Sequence, residues 1–384
     1  MMMRGSTYVW IAVALGLAAL PVCGRASVHG PCSDCHTMHN SQGGLPMTYS
    51  AGFGTTGGSF IPNDTLLRGN CLACHTGVNN GNNTTPYVYT TSLPTYGLTG
   101  NTLAGGNFYW CVNGGGTGAG VVAVGGGHNV DMLGVSASAT LTSPPGDSDA
   151  TSWATRVGNQ TDMASGGHLT CAGTAGCHGD RTKSTNLSAM WGDHHNTPNS
   201  TSAASFRFLK GVTGTEDPDW EYQPDSTHHN EYKGADRSDD SVVDPTTISS
   251  LCAQCHGAFH NSNGTYINAN GVTVTAGIAS TPGTMVSPWI RHPTDYDMNH
   301  KGGSTEYAAY TTYDPMVPVG HKTLNGTTSD ATAYGDSGGA IVMCLSCHRA
   351  HGSPYASLLR WNYKAWPGST AGYYGCATCH TTKN

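Results

Sequence analysis

Apolar residues hold neither a helical nor a strand period for long anywhere in this chain. Amphipathic helices are scarce. Short ones are predicted around a recurring Cys–His motif, and one over Tyr355 to Lys364. Brief β-branched and aromatic stretches predict strands at Tyr87–Thr91 and Val272–Thr275. Between them run long segments of Gly, Thr, Ser and Asn. Two glycine triplets, Gly114-Gly115-Gly116 and Gly125-Gly126-Gly127, punctuate one such loop. The one sustained apolar run is Tyr8 to Val22, broken only by Gly16 and Pro21. Arg4 precedes it and Gly24-Arg25-Ala26 follows it, so residues 1–26 read as an export signal cleaved after Ala26. The run is shorter than the roughly 20 residues of a membrane-spanning helix, and no later segment is long and apolar enough to span. The expected mature protein is residues 27–384, a single exported domain of mostly irregular coil with short helices and few short strands.

Such a pattern raises the question of what forms the core. Only 37% of the 384 residues are hydrophobic and 11% are charged, while 53 are Gly. Disorder by composition requires high net charge as well as low hydrophobicity, and the formal net charge is −7. With 14 Cys and 19 His, a covalent or metallic group is the expected organiser. There is no positive excess and no Lys/Arg-rich run, which excludes a basic nucleic-acid binder.

The cysteine spacings name the group. Cys32-Ser-Asp-Cys35-His36, Cys71-Leu-Ala-Cys74-His75, Cys252-Ala-Gln-Cys255-His256, Cys344-Leu-Ser-Cys347-His348 and Cys376-Ala-Thr-Cys379-His380 all read C-x-x-C-H. This is the c-type haem attachment pattern. Two thiols on one tight turn add to the two vinyl groups of one macrocycle, and the adjoining His meets the iron as proximal ligand. A disulfide framework does not require a His after each second Cys, and paired zinc knuckles leave those His residues unexplained. A sixth site, Cys171-Ala-Gly-Thr-Ala-Gly-Cys177-His178, has five residues between its thiols. They are small and flexible, so the loop can bulge out and still present both sulfurs. The other reading is a disulfide-closed loop beside an incidental His. Six haems are expected, or five if Cys171 and Cys177 carry none. Cys111 is left over.

Thirteen His remain after the six proximal ones, enough to give every iron a second imidazole. An iron with two His ligands has no open position, and carries electrons rather than binding substrate. His39 and His351 lie three residues after His36 and His348, and His260 lies four after His256. Each sits about one helical turn from a proximal His, on the same side of its haem plane, so each must serve a different haem. His128, His292 and His321 stand in the long intervening segments and suit delivery by loops. His194-His195 follows the third site and is assigned to it. His228-His229 sits in an acidic, polar stretch and is read as solvated.

Several of these residues, in this order, resemble a known family. Cys32-Ser-Asp-Cys35-His36-Thr-Met-His39-Asn-Ser, Gly-His128-Asn-Val, Cys252-Ala-Gln-Cys255-His256 with His260-Asn-Ser, Arg-His292-Pro, Gly-His321-Lys and Cys344-Leu-Ser-Cys347-His348-Arg-Ala-His351 are similar to stretches of the OmcS type of outer-surface hexahaem cytochromes. Those proteins, from metal-reducing bacteria, polymerise into filaments. The resemblance covers the N-terminal region and most of the chain after residue 250, and only loosely residues 130 to 250. It implies one continuous file of haems. It also implies that His39 ligates a haem of the next subunit, the one attached at Cys344-Leu-Ser-Cys347-His348, so that copies join head to tail in an open filament. Two departures stand out. The family has two residues, not five, between the third-site thiols, and its His after that site is replaced here by Gly179-Asp180-Arg181.

The expected function is electron transfer, not catalysis, through bis-His c-type haems. The expected setting is a filament outside the cell or on its surface, with copies of itself, other cytochromes and extracellular acceptors as partners. One rival is a monomeric periplasmic or surface carrier whose His39 serves its own chain. Another is a multihaem reductase, which needs an open iron position, often signalled by Lys in place of a motif His; all six motifs end in His.

Overall fold

The computed structural model describes residues 31–42, 45–49, 58–59, 64–114, 125–135, 144–145, 169–195, 201–236, 244–256, 265–267, 273–275, 292, 294–299, 307–328, 332–333, 340–363 and 375–380. The expected export signal and His260 lie outside them. The helices are α1 (Cys71–Cys74), α2 (Tyr109–Asn113), α3 (Asn186–Ala189), α4 (Ile248–His256), α5 (Cys344–Cys347) and α6 (Cys376–Cys379). Helices this short are marginal alone in water, so each needs a local reason. At α3, Thr185 caps the first turn: its hydroxyl accepts from the Ser188 amide, and its amide donates to the Ser188 hydroxyl. The others mostly coincide with thiol pairs: α1, α5 and α6 are attachment motifs from Cys to Cys, and α4 ends in one.

Strands are as short: β1 (Ser41–Gln42), β2 (Leu45–Pro46), β3 (Thr48–Tyr49), β4 (Gly58–Ser59), β5 (Gly214–Thr215), β6 (Glu231–Lys233), β7 (Thr265–Ile267), β8 (Thr273–Thr275), β9 (Tyr296–Asp297), β10 (Gly320–His321) and β11 (Ile341–Val342). One five-stranded sheet, in the order β5-β6-β10-β11-β9, gathers segments distant in sequence. Its β6–β10 pair is parallel, with Gly320 opposite Tyr232, and its other pairs are antiparallel. His321, on β10, is buried in this sheet.

The apolar core is divided rather than continuous. Tyr296, Met298, Tyr310, Tyr313, Val319, Ala333, Ala340 and Val342 form one cluster. Phe206, Leu209, Val212, Tyr232, Ile248, Leu251 and Met343 form a second. Met316, Val317 and Trp361 form a third, against which Cys347, Cys376 and Cys379 pack. A chain this poor in apolar residues builds its small cores beside its thiol pairs.

The strand expected at Val272–Thr275 is met over Thr273–Thr275 by β8, paired with β7, and Val272 lies outside the described residues. Two other expectations fail for one physical reason. Tyr87–Thr91 forms no ladder: its backbone closes onto the attachment loop through Val88 N to His75 O and Gly77 N to Tyr89 O. Among the described residues of Tyr355–Lys364 no α-helix forms: a 3-10 turn, Ala356–Leu358, has Ser357 and Leu358 at φ of 57° and 59°. The Ser357 carbonyl accepts from His348 Nδ1 at 2.8 Å, and the Leu358 carbonyl accepts from the Arg349 amide at 2.8 Å. A helix would consume those carbonyls internally.

Three glycine-bearing segments cross at one point. Isolated bridges join Gly106 and Gly127 to Gly352. The Asn107 amide donates to Gly352 O, His128 N to His351 O, His351 N to Gly105 O and Ser353 N to Gly126 O. A Cβ on Gly352 would sit 2.6 Å from Asn107 O and 2.8 Å from Gly126 O. Glycine is required because three backbones approach within hydrogen-bonding distance. The crossing also fixes His128 beside His351.

Candidate haem sites

Four of the five regular motifs close their turns with the same hydrogen bond. The amides of His36, His75, His348 and His380 donate to the carbonyls of Cys32, Cys71, Cys344 and Cys376, at 2.8–3.0 Å. The irregular third site repeats it: His178 N donates to Cys171 O at 3.0 Å. Its extra residues are absorbed in a loop closed by Gly176 N to Gly173 O, with Gly173 at φ of 88°. Cys171 and Cys177 are not joined as a disulfide. The insertion thus leaves the thiol–thiol–imidazole turn in place.

The proximal rings are oriented by their outer nitrogens. Nδ1 of His36, His75, His178, His256 and His348 lies 2.7–2.9 Å from the carbonyls of Thr65, Pro86, Arg207, Pro145 and Ser357. As donor, Nδ1 leaves Nε2 as the lone-pair nitrogen. His128 follows the same rule, with Nδ1 2.6 Å from Ala350 O.

Five of the six motif imidazoles face a second imidazole. Ring centroids are 6.0 Å apart for His36 and His195, 6.3 Å for His75 and His194, 6.3 Å for His178 and His351, 6.1 Å for His256 and His128, and 6.1 Å for His380 and His292. Rings in direct contact lie closer, as His229 and Tyr313 do at 3.7 Å. Two metal–nitrogen bonds of about 2 Å, with about 1 Å from each nitrogen to its ring centre, span about 6 Å. The donor set therefore fits one iron between each pair.

Burial holds His351 down to about 3, with His178 and His128 adding to the effect. It holds His194 down to about 4, helped by His75, and His256 down to about 4, helped by His128. Neutral imidazoles at pH 7 have their lone pairs available.

Thiols of successive sites lie close enough to act on one another. Cys35 interacts with Cys74, Cys71 with Cys171, Cys177 with Cys252, Cys252 with Cys344, and Cys347 with Cys376 and Cys379.

The placement of His194 and His195 corrects the sequence reading, which gave them to the third site. Their 3-10 turn, Asp193–His195, points consecutive side chains apart, one at His75 and the other at His36. The third site is faced by His351, delivered by the glycine crossing. The fold thus sets His194 opposite the second motif rather than the third. His229, read as solvated, is 1% exposed and stacks on Tyr313. His39 and His348 are both exposed, and among the described residues no imidazole faces His348 across such a gap. Cys111 is fully buried, and burial pushes its thiol up to about 11, where it is unreactive.

Repeated thiol–thiol–imidazole turns, five of them facing a second imidazole across about 6 Å, are the arrangement a multihaem c-type cytochrome requires. Residues 338–384 match a family model described as a doubled CXXCH motif. The chain is similar to the C-type cytochrome OmcS of Geobacter sulfurreducens, at 27% identity over 391 aligned residues, spanning 86% of this chain and 78% of that protein. The sequence likeness and the doubled motif together support an OmcS-type multihaem cytochrome. Two solved structures are also similar. An outer-membrane cytochrome S filament from the same organism shows 21% identity and a TM-score of 0.46, covering 88% of this chain and 85% of that one. An OmcS nanowire shows 21% identity and a TM-score of 0.44, with 87% and 84% covered. No helix among the described residues is long and apolar enough to cross a membrane.

Proposed function

We propose that the chain carries electrons along six covalently attached haems and assembles head to tail into an extracellular filament. The observation that carries this reading is the set of five imidazole pairs separated by one metal-ion gap. Haem iron, when bound, supplies a reversible one-electron couple. The residues do the rest. Twelve thiols, from Cys32 to Cys379, anchor the macrocycles. Imidazoles on both faces close each iron to substrate. His36/His195, His75/His194, His178/His351, His256/His128 and His380/His292 serve sites one, two, three, four and six. Site five, at His348, takes its second imidazole from His39 of another copy; the exposure of both residues supports this. OmcS is the relative whose likeness supports an extracellular setting.

Two measurements on the exported holoprotein test the proposal. Intact mass gives the haem count: six supports the full file, and five removes the Cys171/Cys177 site. Electron microscopy of wild type and His39→Ala follows. Filaments that vanish in the variant support ligation between subunits. Discrete particles in the wild type leave a monomeric carrier.

A further inference from the structure

Away from the attachment motifs, one cluster gathers metal-ligating side chains. Asp217, Asp219 and His228 bring one ligand atom each within 4.8 Å of one another. His228 Nε2 lies 3.1 Å from Asp217 Oδ1 and 3.1 Å from Asp219 Oδ1. Ligand atoms at right angles around an ion about 2.1 Å away are about 3 Å apart. The Asp219 carboxyl is also within hydrogen-bonding reach of the Asp217 carboxyl. Two carboxylates so close repel unless a proton or a cation sits between them. The Asp217 side chain is 0% exposed, and its Oδ1, with His228 Nε2 beside it, accepts no hydrogen bond. Its Oδ2 is satisfied by the Glu221 amide at 2.8 Å. Arg207, the guanidinium nearby, is engaged otherwise: it pairs with Glu216 at 3.5 Å and donates to the Asp217 main-chain carbonyl at 2.6 Å. Among the described residues no Lys or Arg pairs with the Asp217 or Asp219 carboxylate.

Backbone hydrogen bonds hold all three groups. The Tyr222 amide donates to Asp219 Oδ1 at 3.1 Å, and the Trp220 amide to Asp217 O at 3.2 Å. His228 is fixed by two backbone hydrogen bonds with Asp225, at 3.2 and 3.3 Å. The Asp219 and His228 side chains are 29% and 35% exposed, so the gap beside buried Asp217 opens to solvent on one side. We propose that Asp217, Asp219 and His228 bind one divalent transition-metal ion of the zinc class. Two carboxylates with one imidazole suit such an ion better than calcium, which takes about six to eight oxygens. Water completes the coordination on the open side. The ion braces the turn at Asp217–Asp219 against His228. That turn leads to the third attachment motif: Arg207, which donates to Asp217 O, offers its own carbonyl to His178 Nδ1 at 2.9 Å. The site stands whether or not the motifs carry haem.

The test is zinc binding to the exported protein after dialysis against a chelator, read by isothermal titration calorimetry and by counting zinc per chain. Wild type should take up one zinc that Asp219→Asn and His228→Ala each bind at least tenfold more weakly. Asp34→Asn, at an exposed carboxylate outside the cluster, should bind it as wild type does. Calcium at the same concentration should not displace the zinc. Equal zinc affinity in wild type, Asp219→Asn and His228→Ala overturns the inference, and so does displacement by calcium. Zinc-edge X-ray absorption on the wild type needs no variant, and decides the matter if both variants fail to fold. One imidazole nitrogen among oxygen ligands is the expected shell; two or more imidazoles place the ion elsewhere and overturn the assignment.

Discussion

His194 and His195 show how one residue step separates two functions. On a tight 3-10 turn, neighbouring side chains diverge by far more than the width of a ring, so one dipeptide supplies imidazoles to two sites. His195→Ala should open one iron position per chain, and His194→Ala another. Electron paramagnetic resonance should show one high-spin centre for each and two for the double variant; an unchanged low-spin spectrum would refute the assignment. Asp217 gives a pH signature. It is fully buried, and burial raises its carboxyl to about 7, with the Asp219 carboxyl beside it adding to the effect. His228 Nε2 lies 3.1 Å from both Asp217 and Asp219. The folded chain thus keeps a proton that the unfolded chain releases near 3.8. That contribution to stability is complete below 3.8 and is lost as pH rises through about 7. Thermal unfolding should show wild type losing stability from pH 4 to 8, with a flatter profile for Asp217→Asn.

The attachment turns are the elements the sequence marks best, because two thiols, one imidazole and one closing hydrogen bond specify each locally. The glycine crossing is the element it marks worst. Gly106, Gly127 and Gly352 lie far apart in the chain, and their meeting places His128 against His256 and His351 against His178. Gly106 has φ of 89°, and a Cβ there would strike Gly352 O. Gly106→Ala should cost roughly 1–3 kcal/mol and weaken ligation at the third and fourth sites together. A lowered melting temperature with loss of low-spin signal from two haems is the expected result. Loss of stability with all haems still low-spin would show that the crossing does not position ligands.

Across the whole molecule, small apolar clusters and covalently held cofactors share the task a continuous core would perform. The net charge of −7 belongs to the polypeptide, and haem propionates add to it. A negative conductor should meet cationic acceptors faster than anionic ones at low salt. Stopped-flow reduction of hexaammineruthenium(III) should slow as ionic strength rises, while that of ferricyanide should quicken. Equal salt dependence for both would remove the electrostatic role of net charge.

The sequence alone determined the chemistry: Cys and His at fixed local spacing specify covalent haem and one imidazole for each iron, since all those atoms lie within a few residues. It also led to the expectation, from a helical turn over residues 36–39, that His39 serves a different haem; in the structure that stretch is a bridge followed by a bend and not a helix, so the expectation rests on the family resemblance rather than on geometry. The second imidazoles were decided by tertiary structure. His128, His194, His195, His292 and His351 reach their partners through chain crossings, a tight turn and long loops, and no local period encodes such meetings. The same holds for Tyr355–Lys364 and Tyr87–Thr91, whose backbone groups were claimed by neighbouring sites. Local spacing writes what can bind; long-range packing decides which residues face each other across the iron.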